Sequence, residues 1–295
     1  MMHCGSGYGE VTAVITNLDH VVVLVRDLER AVAAYQTLFG RDPSWHAQSD
    51  GAATAIFTLN NMSVELMAPS GDGGIGDRVR AALDKDGEGL ASFAFAVDDI
   101  GGMHRRLKRL GLAPDDVSDG ESRDVASGKA MHWTRTRAST ESTHGIRMFF
   151  IQRREMFAHS LAIAPSPIEA LDHVVIATPD PDRAAALYGA RLGLDMRLDR
   201  TNPDWGARLM FFRCGDLVVE IVHRLKEGKG DGPDKVWGLS WRVADIDATR
   251  ARLHGAGLDV SDVRDGRKPG TRVLTVRDHT CGVPTLVIQQ GTRPA

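Results

Sequence analysis

Apolar and polar positions along the chain follow two alternating rhythms. Residues 20–25, HVVVLV, form an unbroken apolar run of strand length. Asp27 then precedes LERAVAAYQTLF, where Leu28, Ala31, Val32, Tyr35 and Leu38 recur at helical spacing and Gly40 ends the run. ATAIFTL and MSVELMA follow, flanking Asn60-Asn61, and this predicts a hairpin. A further strand is expected around residues 44–48, which makes the local order βαβββ. The same order returns with LDHVVI at 171–176, Asp180 as cap, Gly193 as stop, a strand around 196–200, and a hairpin of ARLMFFR and LVVEIV around Cys214-Gly215-Asp216.

The repeat is measurable. His20 aligns with His173, Tyr35 with Tyr188 and Gly40 with Gly193, at an offset of 173 − 20 = 153; Glu65 aligns with Glu220 at 155. Each half divides again, because LASFAFAVDDI (90–100) and LSWRVADI (239–246) resemble the strands that open the halves. Four units of βαβββ result. One unit cannot bury both its sheet and its helix, whereas two side by side make a curved sheet with helices on the convex side and a cleft on the other. The fold class expected is α+β: four modules forming two tandem domains, each a curved mixed sheet around a cleft. The domains span 15–152 and 169–291, with the proline-containing stretch 153–168 as linker. Neighbouring units are expected to pair, one with two and three with four; pairing of one with four is the alternative.

Composition narrows the partners. The 295 residues carry a net charge of −3, and 42% are hydrophobic. Nothing in this balance points to nucleic acid or to a membrane surface. The basic cluster Arg105, Arg106, Lys108 and Arg109 reads as a solvated helix face. Cys4, Cys214 and Cys281 show no CxxC spacing and no disulfide framework. The N-terminus lacks the charge and apolar core of a signal peptide, and no apolar run is long enough to span a bilayer, so a cytoplasmic protein is expected.

These modules resemble the vicinal oxygen chelate superfamily, which includes glyoxalases, bleomycin-resistance proteins and extradiol dioxygenases. The features that carry the resemblance are LDHVVV at the opening strand, an Asp-led helix, a Tyr…Leu-Gly ending and VEL on the fourth strand. The resemblance covers about 17–290. It implies metal ligands on first and fourth strands facing the cleft, which here are His20 and Glu65, and His173 and Glu220. An imidazole and a carboxylate on neighbouring strands suit a divalent ion such as Fe, Mn, Ni or Zn, with open positions for substrate oxygens. The chain also departs from the pattern. The His position becomes Ser92 in unit two and Gly238 in unit four, and the Glu position becomes Phe149 and Leu286. Two His and two Glu meet only if units one and three share a cleft, within the chain or across a homodimer. The dioxygenase pattern would need a second His at Gly238 and a Glu at Leu286; His132, His144 and His279 are stand-ins on loops or other strands.

Each signal has a plainer reading. The two His are otherwise marks of duplication, hydrogen-bonded in the cleft. Glu65 and Glu220 are costly within apolar strands unless paired, wet or functional; a functional glutamate is a base beside a carbonyl. Gly71-x-Gly73-x-x-Gly76 imitates a dinucleotide fingerprint, but it follows a hairpin strand, and a flexible link between units explains it. The long polar stretches 114–129 and 138–144 read as surface loops, with cleft lids as the rarer use. In MHWTRTR, Trp133, Arg135 and Arg137 share a face that either lines the cleft and holds a carboxylate or is solvated; Trp205 and Arg208 are comparable in the second half. Expected substrate contacts are Ser92, His132, Trp133, Arg135, Phe149 and Trp241, with Met67 beside them.

The resulting expectation is a metal-dependent lyase, isomerase or dioxygenase acting on a small substrate with vicinal oxygens. The alternative is a metal-free binding or resistance protein of the bleomycin-resistance kind.

Overall fold

The computed structural model describes residues 14–291. The first half runs β1 (Ile15–Leu24), α1 (Leu28–Phe39), β2 (Trp45–Ser49), β3 (Ala52–Thr58), β4 (Ser63–Pro69), α2 (Gly74–Asp86), β5 (Gly89–Val97), α3 (Ile100–Arg109), β6 (Ser118–Arg123), β7 (Ala130–Arg137) and β8 (Met148–Arg153). The second half runs β9 (Ala170–Ala177), α4 (Pro181–Ala185, continued by a π turn at Ala186–Arg191), β10 (Asp195–Asn202), β11 (Ala207–Cys214), β12 (Leu217–Arg224), β13 (Lys235–Arg242), α5 (Ile246–Gly255), β14 (Arg264–Asp265), β15 (Arg272–Val276) and β16 (Thr285–Gln289).

Each half folds into one eight-stranded sheet, ordered β2-β3-β4-β1-β5-β8-β7-β6 and β10-β11-β12-β9-β13-β16-β15-β14. At the centre, β1 runs antiparallel to β5 and β9 antiparallel to β13. Unit one therefore pairs with unit two, and three with four. The alternative pairing of one with four is excluded, as is a single-chain cleft shared by units one and three. Close packing of consecutive units wins because their connections are short.

An aspartate opens the helix of each unit. Asp27, Asp99, Asp180 and Asp245 all take extended backbone and accept from main-chain N–H groups of the first turn. His20, Ser92, His173 and Gly238 each stand seven residues before these caps (27 − 20, 99 − 92, 180 − 173, 245 − 238). The four are thus structural equivalents.

Alternation then sorts the faces. Val21, Val23, Phe93, Phe95, Val174, Ile176 and Leu239 join one buried cluster that runs through both halves. The clefts lie on the opposite, concave faces. Helix α1 reaches across the junction, where Phe39 meets Trp241 edge-on at 5.0 Å.

The two concave faces are furnished differently. On the first, α2 packs Val79 and Leu83 on Val22 and Leu24. The glycine pattern therefore opens a packed helix, which corrects the expectation of a flexible link. Gly76 lies so near Gly51 that a Cβ there would fall 2.0 Å from the Gly51 carbonyl oxygen. The helix start is filled by Asp50, whose carboxylate accepts from Gly74 and Ile75 N–H. Elsewhere on this face Trp45, Ala47, Ile56, Met131 and Phe157 cluster with Trp133. The sheet's edges are also tied: Trp45 Nε1 donates to Ser122 Oγ at 2.9 Å and His46 N–H to Asp124 at 3.0 Å. The first sheet thus curls almost into a barrel. In the second half, residues 225–234 hold only a short 3-10 turn where α2 would be, and β10 is exposed over most of its length.

Candidate functional site: two Asp–His–Glu lines

Both duplicated histidines sit on central strands and point into the concave faces. Parallel pairing sets Val22 beside Glu65 and Val175 beside Glu220, which carries each glutamate next to the histidine two residues earlier. His20 Nε2 lies 3.7 Å from Glu65 Oε2, and His173 Nε2 lies 3.1 Å from Glu220 Oε2.

A third group completes each line. The residue before each histidine is an aspartate, and its carboxylate takes the other ring nitrogen: Asp19 at 2.6 Å from His20 Nδ1, Asp172 at 2.8 Å from His173 Nδ1. A carboxylate only accepts, so Nδ1 carries a proton and Nε2 is left to face the glutamate. An outer carboxylate of this kind fixes ring orientation and raises the basicity of the inner nitrogen.

The electrostatics follow from burial. In the second line, burial lowers the His173 proton affinity, but Asp172 and Glu220 more than reverse this, and its pKa is raised. Burial pushes Glu220 up, with His173 and Arg267 opposing. Both shifts keep a proton on the pair. Burial also acts to raise Asp172 and Asp19, but their partners win and hold both below the usual carboxylate range: His173, Gln290 and Arg242 for Asp172, His20 and Arg153 for Asp19.

The anchors behind the two aspartates differ. Arg153 grips Asp19 through Nε at 2.8 Å and Nη2 at 2.7 Å, and both side chains are nearly sealed, at 9% and 5% exposure. Its guanidinium also stacks over Trp133 and Phe157. At the equivalent place on the second sheet Gln290 donates to Asp172 at 2.6 Å. Arg242 stands 3.9 Å away and is engaged by Asp216 at 2.8 Å.

Among the other expected contacts, Phe149 lies on the concave face and Arg135 rests over its ring at 5.6 Å. Ser92 is buried directly beside Val22. Trp133 is in the cluster that narrows the first cleft, with Arg153 above it. Two expectations are corrected. Trp241 is buried on the helix side against Phe39, because its place in β13 alternates away from the cleft. His132 alternates to the face opposite Trp133, where it sits near Glu121 and Glu155. Arg208 likewise turns to the helix side and pairs with Asp182 and Asp199.

No group of three or more His, Cys, Asp or Glu able to hold a metal occurs among the described residues. Each half instead offers Nε2 and Oε2 side by side, with their second-unit counterparts apolar or small. This donor pair could supply two of the three or four protein ligands that a zinc-type site uses, with the other positions left to solvent or a chelating substrate. A recess of about 390 Å³ at the junction of the halves, lined in part by His144 and Arg183, contains neither pair.

The family model described as "Glyoxalase/Bleomycin resistance protein/Dioxygenase superfamily" matches residues 19–129 and again 172–275. The chain belongs to that superfamily. Both matched segments of this superfamily protein contain an Asp–His–Glu line. It is similar to the ethylmalonyl-CoA/methylmalonyl-CoA epimerase of Cereibacter sphaeroides, 33% identical over 97 residues, covering 30% of this chain and 72% of that protein. Solved structures share its fold. A variant of 4-hydroxymandelate synthase from Streptomyces coelicolor is 14% identical, covers 96% of this chain and 95% of its own, and has a TM-score of 0.68. The Mn(II)-bound glyoxalase from Novosphingobium aromaticivorans is 15% identical, covers 95% and 84%, and has a TM-score of 0.65.

Proposed function

We propose that this superfamily member is an isomerase or lyase that moves a proton at a carbon next to a carbonyl, on a small substrate with vicinal oxygens. The observation that carries the reading is the Asp172–His173–Glu220 line on the open face. A glutamate only 13% exposed, with its pKa raised by desolvation and 3.1 Å from an imidazole fixed by a second carboxylate, is a tuned acid–base pair.

The roles follow from the geometry. Glu220, ionised while His173 holds the shared proton, takes the proton from carbon. Asp172 stabilises the resulting imidazolium and fixes its orientation. Reprotonation by Glu220 on the neighbouring carbon completes isomerisation; epimerisation requires that the same carbon be reprotonated from the opposite face by an acid other than Glu220, and departure of a β-substituent with its electron pair completes a lyase reaction. With that proton displaced, His173 Nε2 and Glu220 Oε2 would instead hold a divalent cation, which would supply Lewis-acid polarisation of the substrate carbonyl. The same roles apply to His20 and Glu65 in the narrower first cleft. Dioxygen chemistry has less support, because a facial triad needs two His and a carboxylate and each half offers one His.

Exchange of the α-proton of 2-oxo and 2-hydroxy acids and of thioesters into D2O, followed by ¹H NMR with and without Mn, Ni, Zn or Fe(II), tests this. Exchange that is lost in Glu220→Gln supports the reading. Exchange unchanged in both Glu220→Gln and Glu65→Gln refutes it. A second reading, metal-free small-molecule binding, is favoured by one observation: Phe149 and Leu286 stand where the second glutamates would. Its signature is ligand binding indifferent to metal and to both glutamates.

A further inference from the structure

We propose that the mouth of the second cleft is an oxyanion subsite, built by Arg200 and Arg267, which come from the two edges of the sheet to the same Trp205 ring, and that it selects substrates carrying a carboxylate or phosphate. This inference rests on the proton-transfer reading for Glu220 and names the class of substrate. Arg200 lies on β10 opposite Leu209, on the concave side, and its guanidinium sits 5.2 Å from the Trp205 ring centre. Arg267 arrives from the other edge of the sheet, beyond β14, and sits 4.9 Å from the same ring. One indole thus gathers two cations from opposite ends of an eight-stranded sheet.

Neither guanidinium forms a close ion pair with a carboxylate among the described residues. Most other arginines of this half do: Arg183 with Asp234, Arg208 with Asp182 and Asp199, Arg242 with Asp216, Arg250 with Asp262, and Arg272 with Asp247. Two like charges stacked on one ring repel each other, and an anion between them relieves that repulsion. Planar guanidinium forks match the geometry of a carboxylate or phosphate. Arg267 is also close enough to Glu220 to act on its charge, so an anion held here lies within reach of the proton-transfer pair. Trp205 adds an apolar wall for the substrate's carbon chain.

The test uses the full chain and two probes, malonate and inorganic phosphate, with the indole N–H resonance of Trp205 assigned by Trp205→Phe. Malonate, phosphate or both should shift that resonance saturably, and which one does separates a carboxylate from a phosphate ester. Arg200→Gln and Arg267→Gln should each weaken binding about tenfold, the loss expected for a charge-assisted contact. Arg250→Gln, on α5, should bind like wild type. The proposal is overturned if neither probe moves Trp205, if the two glutamine variants bind like wild type, or if Arg250→Gln weakens binding equally. α-Proton exchange is measured in parallel. Anion binding without Glu220-dependent exchange leaves the subsite standing and removes the proton-transfer reading; exchange without arginine-dependent binding does the reverse.

Discussion

Asp19→Ala removes the acceptor at the centre of the first line, and its cost can be worked from its contacts. Asp19 accepts from Arg153 Nε at 2.8 Å, from Arg153 Nη2 at 2.7 Å and from His20 Nδ1 at 2.6 Å. Truncation leaves a guanidinium that is 9% exposed without its counter-charge. Breaking a buried pair from one side costs about 3–5 kcal/mol. Stacking of Arg153 on Trp133 and Phe157 persists and favours the lower end, about 3 kcal/mol. For a chain of this size that lowers Tm by about 5 °C. Asp172→Ala should cost less, about 1–2 kcal/mol, because its aspartate is 17% exposed and its anchors are a neutral Gln290 and a guanidinium 3.9 Å away.

Urea unfolding followed by tryptophan fluorescence and circular dichroism measures both variants, and the double variant Asp19→Ala/Arg153→Leu separates charge from packing. Once both charges are gone the burial penalty goes with them, so the double variant should recover at least half of the loss. Acid should show the same pair. The Asp19 pKa is depressed on folding, so its stabilisation is present above the unfolded value and is lost as pH falls through the lower folded one. Wild type should therefore lose stability below about pH 4, and Asp19→Ala should lose less over the same range. The reasoning fails if Asp172→Ala costs as much as Asp19→Ala, or if the double variant is the least stable of the set.

Gly76→Ala should detach α2, since its Cβ would strike the Gly51 carbonyl; faster amide exchange in Gly74–Asp86 with β9–β16 unchanged is the expected readout. In a Cys4→Ser chain, Cys214 and Cys281, whose thiols burial pushes up to about 12 and about 11, should resist a thiol reagent at neutral pH until the chain unfolds. Divalent-cation affinity at the second line, read by calorimetry, should rise from about pH 6 to about pH 8, because the cation displaces the proton that the raised pKa values of His173 and Glu220 retain. His173→Ala should abolish that affinity and its pH dependence together.

The repeat was legible because it is written in residues that alternation and capping force into place. Asp27 and Asp180 announce helices, Gly40 and Gly193 close them, and the strands between need only apolar faces, so four modules and two sheets follow. Trp241 and His132 were misplaced for a shared reason. A side chain's face depends on its parity within a strand, and each of the two stands one residue from a cleft-side neighbour, Ser240 and Trp133, so alternation turns it away. Asp19 and Asp172 were overlooked although both repeats read Leu-Asp-His, because a carboxylate beside a histidine in sequence points away from it on an ideal strand. Here the shift between Leu18 and His20, and its counterpart between Ser240 and Trp241, falls at that place in each first strand's pairing.

Duplication gave both halves equal His–Glu pairs, and the differences lie in what surrounds them. The first half has α2 over Val22 and Leu24, an aromatic cluster across the sheet, and a nearly sealed arginine locking its aspartate. Those additions stabilise the half and narrow its cleft. The second half has Gln290 where the first has Arg153, and a 3-10 turn where the first has a helix. Its acid–base line has a weaker anchor, and unpaired arginines flank an open mouth. Burial that supports a fold and access that supports a substrate compete for the same concave surface. Dividing them between two copies lets the first concave face carry packing while the second keeps its His–Glu pair on a face with two arginines at its edges. On the proton-transfer reading proposed above, that division favours Glu220 over Glu65, an ordering the two single glutamine variants resolve directly.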